Sequence, residues 1–159
     1  LVGLADRVIA ERYPHAFPLL QLAQTPSIWE KTQPEAREAF TRNMASAMAT
    51  AIEVVRQGRL EGDLPADAPD EPHVFFGLVT MSTGAHLLQA GPCKPQQMLG
   101  AEVDALDALE RNYHAYLDGI GWRPLSTEWD YAKTRQRIMK KAFGDGARTA
   151  AKRRKPSSI

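Results

Sequence analysis

The sequence predicts an all-α protein, a helical bundle of about six or seven helices, and three observations carry that expectation. Apolar residues recur at intervals of three and four along most of the chain, the period of a helix face. Proline sits at the start of several of these stretches and glycine at their ends, the positions where each is tolerated best. Short alternating runs rich in β-branched residues, the mark of strands, are almost absent.

Each element has its own signal. Leu1, Leu4, Ala5, Val8 and Ile9 form a helical stripe that breaks near Tyr13-Pro14, since a proline pushes its predecessor out of the α region. A short helix follows over 15–23 with Phe17, Leu20 and Leu22. Thr25-Pro26-Ser27 reads as a turn, with Ser27 capping a brief helical turn that holds Ile28 and Trp29. The next helix opens at Pro34, where the missing N–H costs nothing. Phe40, Met44, Met48, Ile52 and Val55 mark its buried face, and Gly58 is its expected C-terminal stop.

A turn-rich connection over 58–69 leads to Asp70, an N-cap, with Glu71 and Pro72 in the first turn of the following helix. From His73 to Leu88 that helix is apolar on nearly all sides, which predicts burial between helices or at a subunit interface. Gly77 and Gly84 lie two turns apart and would let another helix approach closely, and Gly91-Pro92 ends the element. Residues 99–118 carry a bundle seam of Leu99, Val103, Leu106, Leu109, Tyr113 and Leu117, stopped by Gly119 and Gly121. Ser126 or Thr127 is the expected cap of a last helix whose face is Trp129, Ala132, Gln136, Met139 and Phe143. The expected division is a helical domain over 1–143 and a basic, disordered tail over 144–159.

Composition excludes several classes. The chain has 159 residues, 43% of them hydrophobic and 25% charged, enough for one domain with a core of its own. One cysteine, Cys93, makes no internal disulfide and no cysteine-rich zinc module. No apolar run reaches the roughly 18 residues a membrane span requires, and Leu1 to Ile9, broken by Asp6 and Arg7, does not read as a signal peptide, so a cytoplasmic protein without a membrane partner is expected. Charge is unevenly spread. Residues 1–132 carry 10 basic against 18 acidic side chains, and 133–159 carry 10 basic side chains with only Asp145 against them. The tail around Lys152-Arg153-Arg154-Lys155 is either a solubilising terminus or a nonspecific contact for nucleic acid, without interleaved aromatics for base stacking.

Chemistry-bearing motifs are scarce. Neither a glycine-rich phosphate loop, nor His-Glu-x-x-His, nor Gly-x-Ser-x-Gly occurs, so catalysis is disfavoured and no cofactor or metal is implied. Glu110 and His114, one helical turn apart, are the best candidates for a surface hydrogen bond or, with His86, for a stand-alone helix-bundle enzyme or metal-binding protein. His86 itself lies in the most apolar helix, either as an interior histidine or as the polar group of a ligand cavity. The Phe40, Met44, Met48 stripe reads first as core, and in the alternative as the adaptable lining of a pocket. Candidate pocket residues are therefore Trp29, Phe40, Met44, Met48, Phe76, Met81, His86 and Tyr113.

The succession of features is familiar. Leu19-Leu20-Gln21-Leu22-Ala23-Gln24 precedes Pro26 and Trp29, and a long helix ends in Val54-Val55-Arg56-Gln57-Gly58. Then come Leu60-x-Gly62-Asp63-Leu64 and Asp70-x-Pro72, opening an apolar helix with Gly77 and Gly84. Over roughly residues 1–120 this resembles the C-terminal effector-binding and dimerisation domain of TetR/AcrR-type transcriptional repressors. The resemblance implies a ligand cavity for a small apolar or aromatic effector, and a homodimer built by the helices over 72–90 and 99–118. Phe75, Leu78, Leu87, Val103, Leu106 and Leu109 are the interface candidates it suggests. The family's N-terminal helix-turn-helix has no match in this sequence. DNA contact is therefore expected only through a missing N-terminal domain, or weakly through the basic tail.

Overall fold

The computed structural model describes residues 13, 15–23, 25–92 and 95–143. Among them lie seven α-helices and no strand: α1 (Ala16–Ala23), α2 (Pro26–Glu30), α3 (Pro34–Leu60), α4 (Glu71–Ala90), α5 (Pro95–Leu99), α6 (Ala105–Gly119) and α7 (Tyr131–Phe143). The all-helical class is as the periodicity predicts. The stripe over 1–9, the loop at Cys93 and the tail over 144–159 fall outside the described residues.

α4 is the axis of the bundle. It packs on α3 along one side and α6 along another, and α1 lies against it as well. Having almost no polar face, it supplies residues to both parts of the core. In one, Val74 and Phe75 meet Val55 of α3 and Leu64 of the α3–α4 connection; in the other, Leu78 meets Leu109 and Tyr113 of α6. Tyr116 borders both and donates its hydroxyl to the carbonyls of His73 and Val74 at 3.5 and 3.4 Å.

Two helix ends fix how these layers meet. α3 runs past Gly58 to Leu60, and Gly62, at φ +83°, takes the left-handed position that Gly58 was expected to hold. The Asp63 amide then reaches the Gly58 carbonyl at 2.8 Å and the Gly62 amide that of Arg59 at 3.1 Å, the paired closure of a Schellman motif. α6 ends the same way at Gly121 (φ +79°), with the Trp122 amide on Leu117 and the Gly121 amide on Asp118. The Arg123 amide donates to the Asp63 carbonyl at 2.7 Å and joins the two ends. Trp122 is thereby laid across α3 at Gly58, where an added Cβ would come within 2.6 Å of the indole. Close approach, and not helix termination, is what Gly58 provides.

Arg59 holds the connection that follows. Its guanidinium donates to Glu71 at 2.8 Å, to the Pro65 carbonyl at 2.9 Å and to the Pro69 carbonyl, so one side chain satisfies a loop that has no secondary structure to do so. Asp70 caps α4 through the His73 amide at 3.0 Å, as its place before Glu71-Pro72 predicts.

Three boundaries differ from the sequence reading. α2 starts at Pro26 behind Thr25, two residues earlier than a Ser27 cap would allow, with proline at its first position. The seam over 99–118 is not continuous: Asp104 accepts from the Leu106 and Asp107 amides and starts a new helix, which leaves Val103 in the linker after α5. The last helix is capped by Asp130, whose carboxylate accepts from the Lys133 amide at 2.8 Å. Ser126 is engaged instead by Asp118, and Trp129 precedes the helix. No helix among the described residues is long and apolar enough to cross a membrane.

Candidate functional site

α3, α4, α6 and α7 each turn one face toward a common hollow of about 360 Å³. The spacing shows why these residues converge. α3 contributes Ala51, Val54 and Val55, and α4 contributes Phe75 and Leu78, all at offsets of three or four. α6 adds Glu110, Tyr113, His114, Leu117 and Asp118 along one stripe, while α7 adds Tyr131, Thr134, Arg135 and Ile138 along another. Trp122 and Pro124, placed by the end of α6, complete the wall. The α3–α4 side is apolar and the α6–α7 side polar, so a guest would have one greasy wall and one that orients it.

The polar wall is ordered by its own contacts. Arg135 of α7 forms an ion pair with Glu110 of α6, one nitrogen facing both carboxylate oxygens. The Tyr131 ring lies 5.4 Å from that of His114, and its hydroxyl donates to the Pro124 carbonyl. Burial raises the Tyr131 phenol above its ordinary range, helped by the negative charges of Asp118, Asp63 and Glu128, so it stays a donor at neutral pH. Asp118 accepts the Ser126 hydroxyl on one oxygen and the Ser126 amide at 2.8 Å on the other. Those two bonds lower its pKa below the usual aspartate value and keep it ionised. Tyr113 donates to the Leu78 carbonyl at 3.3 Å, which fixes its ring between α4 and α6.

Of the eight pocket residues expected from sequence, only Tyr113 lines this hollow. Trp29 and Phe40 pack on one another, ring centres 4.9 Å apart, where α2 meets the start of α3. Met44 is half-buried on α3; Met48 supports the Val55–Val74 cluster and Met81 the Leu78–Leu109 cluster. Phe76 is 67% exposed, on the outer side of α4. His86 is buried, 6% exposed, and stacks on Phe17 of α1 with ring centres 3.4 Å apart. The histidine therefore belongs to the α1–α4 contact and is not among the residues lining the hollow.

The interface candidates differ among themselves in exposure. Phe75, Leu78 and Leu109 are buried within the chain, the first two against the hollow and the third in the core. Such side chains are already covered and offer nothing to a second copy. Leu106 and Val103 are half-buried, and Leu87 is 53% exposed. Glu110 and His114 share the hollow, but His86 does not join them. No cluster of three or more His, Cys, Asp or Glu side chains able to hold a metal occurs among the described residues.

Sequence reasoning missed Trp122, Tyr131, Thr134, Arg135 and Ile138. A signal existed for α7: Tyr131, Thr134, Arg135 and Ile138 fall at offsets 0, 3, 4 and 7. It was masked because two of the four are polar, and a search for apolar periodicity selects Trp129, Ala132, Gln136 and Met139, of which only Met139 is half-buried. No family profile, no curated protein and no solved structure matches this chain.

Proposed function

We propose that this chain is the effector-binding and dimerisation domain of a transcriptional repressor of the TetR/AcrR type, sensing a small apolar or aromatic molecule. The hollow between α3, α4, α6 and α7 carries the reading. Its volume of about 360 Å³ falls within the roughly 300–1,000 Å³ of small-molecule sites, and its mixed lining suits a greasy molecule held in one orientation. α7 forms one wall and is attached there by side-chain contacts, Arg135 to Glu110 and Tyr131 to His114. An effector that fits better with α7 displaced would shift the population toward that arrangement and relay the change to a DNA-binding domain.

The outer face of α4 suits the dimer. Phe76 and Leu87 protrude from it, and an added Cβ at Gly84 between them meets nothing within 4 Å. A second copy laid along this stripe would cover what the chain itself leaves wet. Calorimetric titration with small aromatic probes, beside sedimentation equilibrium, tests both halves of the reading. Saturable binding lost in Ala51→Phe, which fills the hollow, is the expected result. A strict monomer at tens of micromolar, or no probe bound, contradicts it.

A further inference from the structure

Resting on the reading of the hollow as an effector site, the geometry points to its guest being an apolar organic monocation, an aromatic group carrying a quaternary or tertiary ammonium. Three permanent charges line the hollow: Glu110, Asp118 and Arg135. Glu110 and Arg135 face each other and cancel. Asp118 accepts from the neutral amide and hydroxyl of Ser126, which stabilise its charge without balancing it, and His114 is the group beside it that acts on it through charge. Among its permanent charges the lining thus holds one carboxylate in excess beside apolar walls, where charge interactions are stronger than in water.

Each class of guest meets that excess differently. An anion seeking Arg135 has to displace Glu110, leaving three negative groups and one guanidinium in the same hollow. A neutral hydrocarbon removes water from Asp118 and returns nothing for it. A cation balances the charge, and it also finds the ring faces of Phe75, Tyr113, Trp122 and Tyr131, whose quadrupoles attract positive charge. A quaternary ammonium donates no hydrogen bond, so the Asp118–Ser126 contacts stay intact as it binds.

The test is calorimetric titration of the whole chain with three probes of similar shape: benzyltrimethylammonium, its uncharged carbon analogue neopentylbenzene, and phenylmethanesulfonate. The cation is expected to bind at least about tenfold more tightly than the neutral probe, and the anion most weakly. Asp118→Asn, which keeps the shape and the bond from the Ser126 amide while its NH2 donates to the Ser126 hydroxyl, is expected to erase the cation's advantage and leave the neutral probe unchanged. Ser126→Ala, which retains the carboxylate, is expected to preserve that advantage. Should Asp118→Asn lose its helical circular dichroism, ionic strength reads the same charge, since added salt weakens the cation and spares the neutral probe. Equal affinity for cation and neutral probe, or an advantage that persists without the Asp118 charge, overturns the inference about charge and leaves the effector site standing. Binding of none of the three overturns both.

Discussion

The two halves of α4 are alike in sequence and different in the molecule. Each has a glycine, Gly77 or Gly84, among large apolar residues. Around the first half the side facing α3 and α6 is closed, though Phe76 on the outer side is not: Val74 has no exposed surface, and a Cβ on Gly77 would come within 2.6 Å of the Tyr116 hydroxyl. Around the second half, Ser82 and His86 are covered, yet Leu87 and Leu88 are about half exposed and Gly84 has open space beside it. Composition therefore sets how much apolar surface a helix carries, and the neighbours decide how much of it is covered. The outer side, from Phe76 to Leu88, is the one left uncovered.

The sharpest way to break this contrast is to truncate one leucine in the closed cluster and one on the open face. Leu64→Ala removes a side chain 2% exposed in the closed cluster, and is expected to cost about 3 kcal/mol in urea unfolding. Leu87→Ala is expected to change monomer stability by under about 0.5 kcal/mol and to act on self-association instead. Equal effects at the two sites would abolish the distinction.

Glycine replacements come next. Gly58→Ala forces the Trp122 ring off α3 and is expected to destabilise by about 2 kcal/mol. Gly84→Ala meets no atom and gains helix propensity, so stabilisation of up to about 1 kcal/mol is expected in thermal unfolding of the monomer. A dimer that needs the close approach at Gly84 would lose affinity in the same variant, which sedimentation detects.

The smallest effect concerns pH. Ser126 holds Asp118 below the ordinary value of 3.8, so its contribution to stability is present above that pH and disappears as pH falls through the lowered folded-state value. Acid unfolding followed by circular dichroism is expected to be shallower in Asp118→Asn than in the parent. Identical acid limbs would show that Ser126 contributes nothing through this carboxylate.

Much of the scaffold was legible in the residues, and the candidate site was mostly not. Pro34, Asp70 and Gly121 announce helix ends because each acts through its own backbone or its neighbour's amides. Asp104 and Asp130 announce them as well, although apolar periodicity drew the seam and the last helix straight past them. The pair Glu110–Arg135, 25 residues apart, has no such local signal. Neither does Trp122, whose position depends on two Schellman ends meeting through Arg123 and Asp63.

Sequence alone determined that the chain is helical, where α4 begins and that α4 is apolar all round, since these follow from interactions within about four residues. Only the tertiary structure decided which side of each helix is covered. It turned Phe75 inward and Phe76 outward, and it set Tyr131 and Arg135 against α6. Packing is a contest among all faces at once, and a face that carries arginine and threonine can win it when a carboxylate waits opposite.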